Sequence, residues 1–497
     1  MKIGFLSLGC PKNLVDGEVM LGLAQQAGHD ITPAADEADV LVVNTCAFID
    51  NAKQESIDAI LEMAAKKRDG RCSRLVVTGC LAERYRDELK KEIPEIDVLL
   101  GTGEVDRIVS AVEHAGREGK GEGREATGEE REAKGEGRKI GDAAAAPLRF
   151  HRKAPSVAHP APRDSHLDAG AAPAPSPRAL PTYLYDADTP RVQTTPRHFA
   201  YVKVAEGCDY TCAFCIIPTL RGKYRSRTAE SIVREARGLA ARGVKELLLI
   251  SQDTTFYGID RGERGALGRL LRKLDRVDGI EWIRLLYLYP TTITDDVLAA
   301  MAECEKVCRY VDLPLQHASA AVLKRMRRPG HRKTYDALLS RIRERVPGVT
   351  LRTTFIVGFP GETEAEFAEL EGFVEDTRFD HVGVFTYSHE DGTRAFAAED
   401  DVPAATKRKR RERLMKRQQR IVAAAHQARV GTDRLVRIDG ASAEHELVVQ
   451  GRLEGQAPDI DPIVYLTDCD PSSLPTGSVI TARIVGAQGY DLLATPV

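Results

Sequence analysis

The sequence predicts a multidomain α/β protein that ends in a small all-β domain, and three observations carry the prediction. Strand-like and helix-like stretches alternate over residues 1–105 and again over 196–428, the signature of parallel sheets covered by helices. Between them, "GREGKGEGREATGEEREAKGEGRK" opens a low-complexity stretch. After them, residues 429–497 carry short strands with frequent Gly and Pro, which reads as a small OB-like barrel. A chain of 497 residues suits two to four domains. Its 29% charged and 42% apolar residues are ordinary for a soluble protein, and a net charge of -3 excludes a general affinity for nucleic acid.

The N-terminal domain, 1–115, shows three strands: "KIGFLSL", "DVLVVN" and "RLVVT", followed by helices expected from about Val15, Asn51 and Glu83. Each strand runs into a cysteine, at Cys10, Cys46 and Cys80. A buried cysteine is an ordinary small core residue. Three independent strand ends that each deliver one are not, because strand carboxyl ends line the ligand crevice of a parallel sheet. The opening "LSLGC" has too few apolar residues before its cysteine for an export signal. No apolar run approaches the roughly 18 residues that span a bilayer. A cytoplasmic location and no membrane partner are therefore expected.

Residues 116–195 are expected to be a mostly disordered linker, since large apolar side chains nearly vanish up to about Arg178. Strands resume at "FAYVKVA", "KELLLIS", "WIRLLY", "YVDLP", "TLRTTFIVG" and "HVGVFT", six βα units over 196–428 that suit a partial (β/α)6 barrel. The loop after the first strand is "EGCDYTCAFCIIP", with Cys208, Cys212 and Cys215 in eight residues. No fourth Cys or His lies at zinc-ligand spacing, so the set leaves a coordination position open. Gln252, Asp253, Gln316, His317 and the segment Tyr387 to Thr393 lie at other strand ends and are expected to line the cavity. For His317 a hydrogen-bonded structural role is an equal alternative. Cys72, Cys304, Cys308 and Cys469 have no comparable context and read as core thiols.

The spacing Cys208-x3-Cys212-x2-Cys215 resembles the radical S-adenosylmethionine (SAM) superfamily. That resemblance implies a 4Fe-4S cluster on three thiolates, with SAM on the fourth iron as the source of a deoxyadenosyl radical. It also implies SAM contacts from Phe214 and from "IVGFPGETE", through Gly358, Gly361 and Glu362. An N-terminal cysteine triad, a radical SAM barrel and a small β domain of the TRAM kind, in that order, resemble the methylthiotransferases. The resemblance implies a second, auxiliary 4Fe-4S cluster on Cys10, Cys46 and Cys80, and two SAM molecules, one giving the methyl group and one the radical.

Within that family "SLGCPKNLVDGE", "NTCAFIDNAKQES", "CIIPTLRGKYRSR" and "ISQDTTFYG" resemble the branch that acts on an aspartate β-carbon of ribosomal protein S-twelve. The tRNA-modifying branch begins with Gly-Cys-Gln-x-Asn, where this chain has Gly9, Cys10, Pro11, Lys12 and Asn13. The implied partners are S-twelve, a reductant such as a flavodoxin or ferredoxin, and a sulfur donor. Residues 431–497 hold ten acidic residues against four arginines and no lysine, a net charge of -6. An acidic domain suits a basic protein better than tRNA phosphates, so Asp459, Asp461, Asp468 and Asp470 are expected at the docking surface. The basic run at 407–420 is a candidate ribosomal RNA contact, with a solvated helix face as its plainer reading. The alternatives are a tRNA adenosine methylthiotransferase and a non-catalytic iron-sulfur scaffold or electron carrier; reductive SAM cleavage excludes the latter.

Overall fold

The structure, a computed structural model, describes residues 1–113, 179–442 and 448–497; the low-complexity stretch at 116–178 lies outside them. The N-terminal sheet contains β1 (Lys2–Ser7), β2 (Asp30–Thr32), β3 (Val40–Thr45), β4 (Arg74–Gly79) and β5 (Val98–Leu100), all parallel in the order β2-β1-β3-β4-β5. The runs of Val, Leu and Ile suit strands covered on both faces. β2 and β5 were not foreseen, because three residues are too few to show a period. The helices are α1 (Pro11–Gln26), α2 (Asp50–Asp69), α3 (Cys80–Arg84), α4 (Arg86–Glu92) and α5 (Ile108–Glu113). α1 starts ahead of the expected Val15, with Pro11 in its first turn, where a missing N–H costs nothing. α3 starts at Cys80 itself, straight off β4.

Residues 179–195, counted above with the linker, form a packed strap between the first two domains. The Arg191 side chain is 6% exposed and donates to Glu18 of α1 (2.7 Å), to Glu235 (2.7 Å) and to the Tyr201 carbonyl (2.7 Å). Gly22 allows this approach, since a Cβ there would run into the Pro190 and Arg191 backbone. Tyr183 and Tyr185 were the available signal, two aromatics in a segment otherwise poor in core residues.

The central domain has β6 (Phe199–Lys203), the short pair β7 (Ala205–Glu206) and β8 (Arg225–Ser226), then β9 (Glu246–Ile250), β10 (Trp282–Leu285), β11 (Tyr310–Asp312), β12 (Thr350–Val357) and β13 (His381–Thr386). Six parallel strands run as two triplets, β10-β9-β6 and β11-β12-β13, which meet at a bridge between Ile283 and Val307 and at the Leu288 N–H on the Asp312 carbonyl (2.9 Å). This is the expected partial barrel with a seam. Its helices are α6 (Ile217–Arg221), α7 (Ala229–Ala241), α8 (Ala266–Asp275), α9 (Asp295–Glu303), α10 (Ala320–Arg325), α11 (Arg332–Arg345), α12 (Glu364–Thr377) and α13 (Ala404–Gln427).

The last domain is a closed barrel, β14 (Asp433–Ala441), β15 (Val449–Arg452), β16 (Val464–Leu466), β17 (Val479–Gln488) and β18 (Asp491–Pro496). Its 452–461 segment closes the amino end of the central barrel. Arg452 pairs with Glu246 (2.8 Å), Asp461 accepts from the Tyr310 hydroxyl (2.6 Å) and Arg352 (3.1 Å), and Asp459 accepts from the Tyr201 hydroxyl (3.0 Å). One core then holds residues of all three domains: Val15 and Val19, Tyr201 and Leu248, and Ala457.

Two expectations change here. The Asp461 side chain is 1% exposed, and Asp439 pairs with Arg452 (2.8 Å) and His198 (2.8 Å), so part of the acidic charge binds this chain's own barrel. Only Asp468 and Asp470 of the four named acids are free of such contacts and exposed. In α13, Lys407 pairs with Asp400 (2.6 Å), Arg410 with Glu362 (2.8 Å), Arg413 with Glu371 (2.5 Å) and Arg417 with Glu375 (2.6 Å). Four of the nine basic residues of the run are thus held by ion pairs within this chain, three of them by α12 and the turn before it, while Arg408, Lys409, Lys416 and Arg420 stay exposed.

Candidate functional site

Cys10, Cys46 and Cys80 meet because β1, β3 and β4 are adjacent and parallel and each ends at its cysteine. Gly9, at φ 90°, lets the chain turn over Cys46; a Cβ there would stand 2.7 Å from Cys46 Cβ. Ser56 of α2 fixes the Cys46 backbone, accepting its N–H (3.0 Å) and donating to its carbonyl (2.9 Å). Arg221 reaches across from α6 and donates to Cys80 Sγ at 3.6 Å. Burial, reinforced by neighbouring thiols, pushes Cys46 up to about 12 and Cys80 in the same direction.

The second triad sits on the loop after β7. Tyr210 anchors it: its ring stacks on Tyr289 at 3.9 Å and 8°, and its hydroxyl donates to Asp253 at 2.9 Å. The Ala213 N–H donates to the Met326 carbonyl (2.8 Å) and that of Cys215 to the Cys212 carbonyl (3.2 Å). Arg328 donates to Cys212 Sγ at 3.8 Å. Burial pushes Cys208 up to about 11 and Cys215 up to about 12.

All six thiols are free. Among the described residues, no group of three or more His, Cys, Asp or Glu side chains is arranged to hold a metal ion. Each triad has one buried arginine on a sulfur, a hydrogen bond that favours thiolate over thiol. The residues present fit two iron-sulfur clusters.

Between the triads lies a buried polar network that the motifs did not announce. Lys203 pairs with Asp16 (2.5 Å) and with Glu206, and Arg221 pairs with Asp16 and meets Asn13 Oδ1 at 3.3 Å. Burial would raise Glu206, but Lys203 and Arg221 outweigh it and hold its carboxyl at about 2. Gln252 donates to Glu206 at 2.6 Å, while its own amide oxygen, like that of Gln316, is buried with no partner among the described residues. Lys12 is buried too; its ammonium lies 2.9 Å from the centroid of the Tyr287 ring, and desolvation pulls it down to about 8. The signal for this network was polar residues at 12, 13 and 16, one face of the first turns of a helix that follows Cys10.

The other expected cavity residues divide. Asp253 is a structural hub that accepts from Tyr210, the Thr255 backbone (2.9 Å) and Thr292 (3.2 Å). The buried His317 accepts the Ser319 N–H at Nδ1 (3.0 Å) and presents Nε2 to Glu362 at 3.5 Å, the structural alternative. Glu362 accepts the Gly358 N–H (2.8 Å) and pairs with Arg410. Gly358 and Gly361 take φ 73° and 72°, the turn only glycine adopts freely, and Phe214 packs beside Phe359 and Tyr387. Past Tyr387 the segment to Thr393 latches the domains together instead of lining a cavity. Glu390 pairs with Lys53 (2.8 Å) and Arg84 (2.9 Å), Asp391 with Arg84 (2.6 Å), and Ser388 donates to Asp50 (3.0 Å). Cys72, Cys304 and Cys308 are buried among apolar neighbours, and Cys469 packs against the β-barrel core.

Three family models match in series: uncharacterized protein family UPF0004 over residues 2–101, the radical SAM superfamily over 202–374 and the TRAM domain over 430–497. A protein of Koribacter versatilis named ribosomal protein uS12 methylthiotransferase RimO is 45% identical over 99% of this chain and 96% of its own length. The chain belongs to the radical SAM methylthiotransferases, in the ribosomal protein uS12 branch. Proteins of the same name from Geotalea uraniireducens and Solibacter usitatus are 42% and 44% identical, over 99% and 100% of this chain and 97% and 94% of their own lengths. Among solved structures, the radical SAM methyltransferase TsrM of Kitasatospora setae, with cobalamin and a 4Fe-4S cluster bound, superposes with a TM-score of 0.50 at 16% identity, over 78% of this chain and 72% of its own. At that identity the likeness concerns the fold. Enzymes of this family are transferases that use 4Fe-4S clusters and SAM, and this chain is one of them.

Proposed function

We propose that this methylthiotransferase replaces a hydrogen on the β-carbon of an aspartate of ribosomal protein uS12 with a methylthio group. The observation that carries the reading is the pair of cysteine triads, one at three strand ends with Arg221 of the buried polar network on its Cys80 sulfur and one on the loop after β7, in a chain whose full-length relatives are named for uS12. When bound, the cluster at Cys208, Cys212 and Cys215 supplies the electron that cleaves SAM, and the one at Cys10, Cys46 and Cys80 holds the sulfur to be transferred. The chain's own residues do the rest. Arg328 and Arg221 orient Cys212 and Cys80 and favour their thiolate forms. Phe214 and the Gly358–Gly361 turn form the SAM seat, with Glu362 and Arg410 holding that turn in shape. The Glu390 and Asp391 latch keeps the two domains closed, which excludes water from a radical site.

In the balanced reaction a C–H bond is broken and a C–S bond formed. The hydrogen leaves in deoxyadenosine, a second SAM gives its methyl group to the sulfur, and a flavodoxin- or ferredoxin-class donor and a sulfur donor restore the enzyme. The test is co-expression with uS12 followed by mass spectrometry of the ribosomal protein and of tRNA. The expected result is one methylthio group on a uS12 aspartate and unchanged tRNA. Methylthioadenosine in tRNA with unmodified uS12 overturns the reading.

A further inference from the structure

Lys12, two residues past Cys10, is a buried cation that faces Tyr287 of the central barrel, and the described residues offer it neither an ion pair nor a hydrogen bond. The cations around it are matched: Lys203 and Arg221 by Asp16 and Glu206, and Arg352 by Asp312 (2.9 Å) and Asp461 (3.1 Å). Lys12 is 8% exposed; Cys10, Asp312 and Glu206 act on its ammonium through space without a hydrogen bond, and its one direct contact among the described residues is the face of the Tyr287 ring, 2.9 Å from the centroid. A ring face orients an ammonium but does not replace an anion for a charge taken out of water. The supporting backbone is strained at this place. Tyr287 takes φ 60°, pinned by its N–H on Asp312 (2.9 Å) and its carbonyl under the Thr254 N–H (2.9 Å). Gln316, at φ 71°, holds one of the two unpartnered amide oxygens at the same end of the barrel. Strain of this kind persists where the surroundings enforce it, and it gathers at binding sites.

We propose that Lys12 is the subsite for the substrate's side-chain carboxylate. The carboxylate of the target residue takes the vacant place opposite the ammonium, as a charge-assisted hydrogen-bonded pair. The β-carbon is bonded directly to that carboxylate, so fixing one places the other between the triads. The inference rests on the functional reading above, that the target is an aspartate. It assigns to Lys12 the choice of an acidic side chain over its amide.

The test uses the holoenzyme with both clusters reconstituted and two uS12 peptides, carrying Asp or Asn at the modified position. Calorimetry gives the Kd of each and turnover gives kcat/KM. Wild-type enzyme is expected to favour the Asp peptide by about 10- to 100-fold, the range of a hydrogen bond to a charged group. Lys12→Met is expected to erase that preference in both measurements, and Lys12→Arg to restore most of it. Iron content and the auxiliary-cluster spectrum should be those of wild type in both variants. Lys12→Met enzyme that keeps the Asp preference, or Lys12→Arg enzyme that lacks it, overturns the inference. Loss of the auxiliary spectrum in Lys12→Met with the preference intact makes the lysine a counter-ion of the cluster and overturns it as well. Wild-type enzyme that modifies no uS12 peptide overturns the functional reading itself, which separates the two failures.

Discussion

Arg221 and Arg328 occupy equivalent chemical positions at the two triads, each buried and each on one ligand sulfur. Hydrogen bonds to cluster sulfurs raise reduction potentials. Arg221→Met should therefore lower the auxiliary-cluster potential in an EPR-monitored redox titration and leave the other cluster unchanged, and Arg328→Met should do the reverse. A shift of both clusters together, or of neither, would contradict this assignment. Arg221→Met should also cost about 3–5 kcal/mol in denaturant unfolding, because Asp16 and Glu206 are left with Lys203 as their one cation. At this scale the sequence was legible where function is written in spacing, as in the six cysteines. It was opaque where partners are remote: nothing near Glu390 announces Lys53 and Arg84, which come from the other end of the chain.

The closed barrel shows what separates an element's charge from its surface charge. Its composition announced a strongly acidic unit, but composition does not say which acids face inward: Asp461 pairs with Arg352 of the central domain, and Asp439 pairs with Arg452 of its own barrel and meets His198. Burial alone would raise Glu246 and Asp439; arginines, Arg452 foremost, outweigh it and hold both below the usual carboxylate range. A depressed native pKa contributes stability above the unfolded value, near 4, and loses it as pH falls through the native one. Docking of the barrel should accordingly weaken below about pH 4. The single tryptophan, Trp282, reports on this joint, with the Arg437 guanidinium 4.3 Å from its ring. Its fluorescence should change on acidification, and Asp461→Asn, which removes the partner of Arg352 and Tyr310, should move that change to higher pH. An unmoved midpoint in the variant would show that Asp461 does not hold the joint.

Across the whole molecule, the three domains share a core and a strap, so the order of motifs along the chain understated how closely the parts depend on one another. Alternating strands and helices sufficed to predict both α/β domains, since hydrophobic period is local. The strap at 179–195 was missed because its burial is supplied by α1 and α7 and not by its own pattern. The composition of 116–178 predicts that replacing it with a short Gly/Ser tether leaves both clusters and SAM cleavage intact, measured as iron content and deoxyadenosine release. The central claim is that the two triads hold two separate clusters with different tasks, and iron counting on triad variants tests it most directly. Replacing Cys208, Cys212 and Cys215 by Ala should leave half the iron and no SAM cleavage. Replacing Cys10, Cys46 and Cys80 should leave half the iron, SAM cleavage and no sulfur insertion. Wild-type enzyme that reconstitutes with the iron of a single cluster, or a triad variant that keeps all its iron, would contradict it.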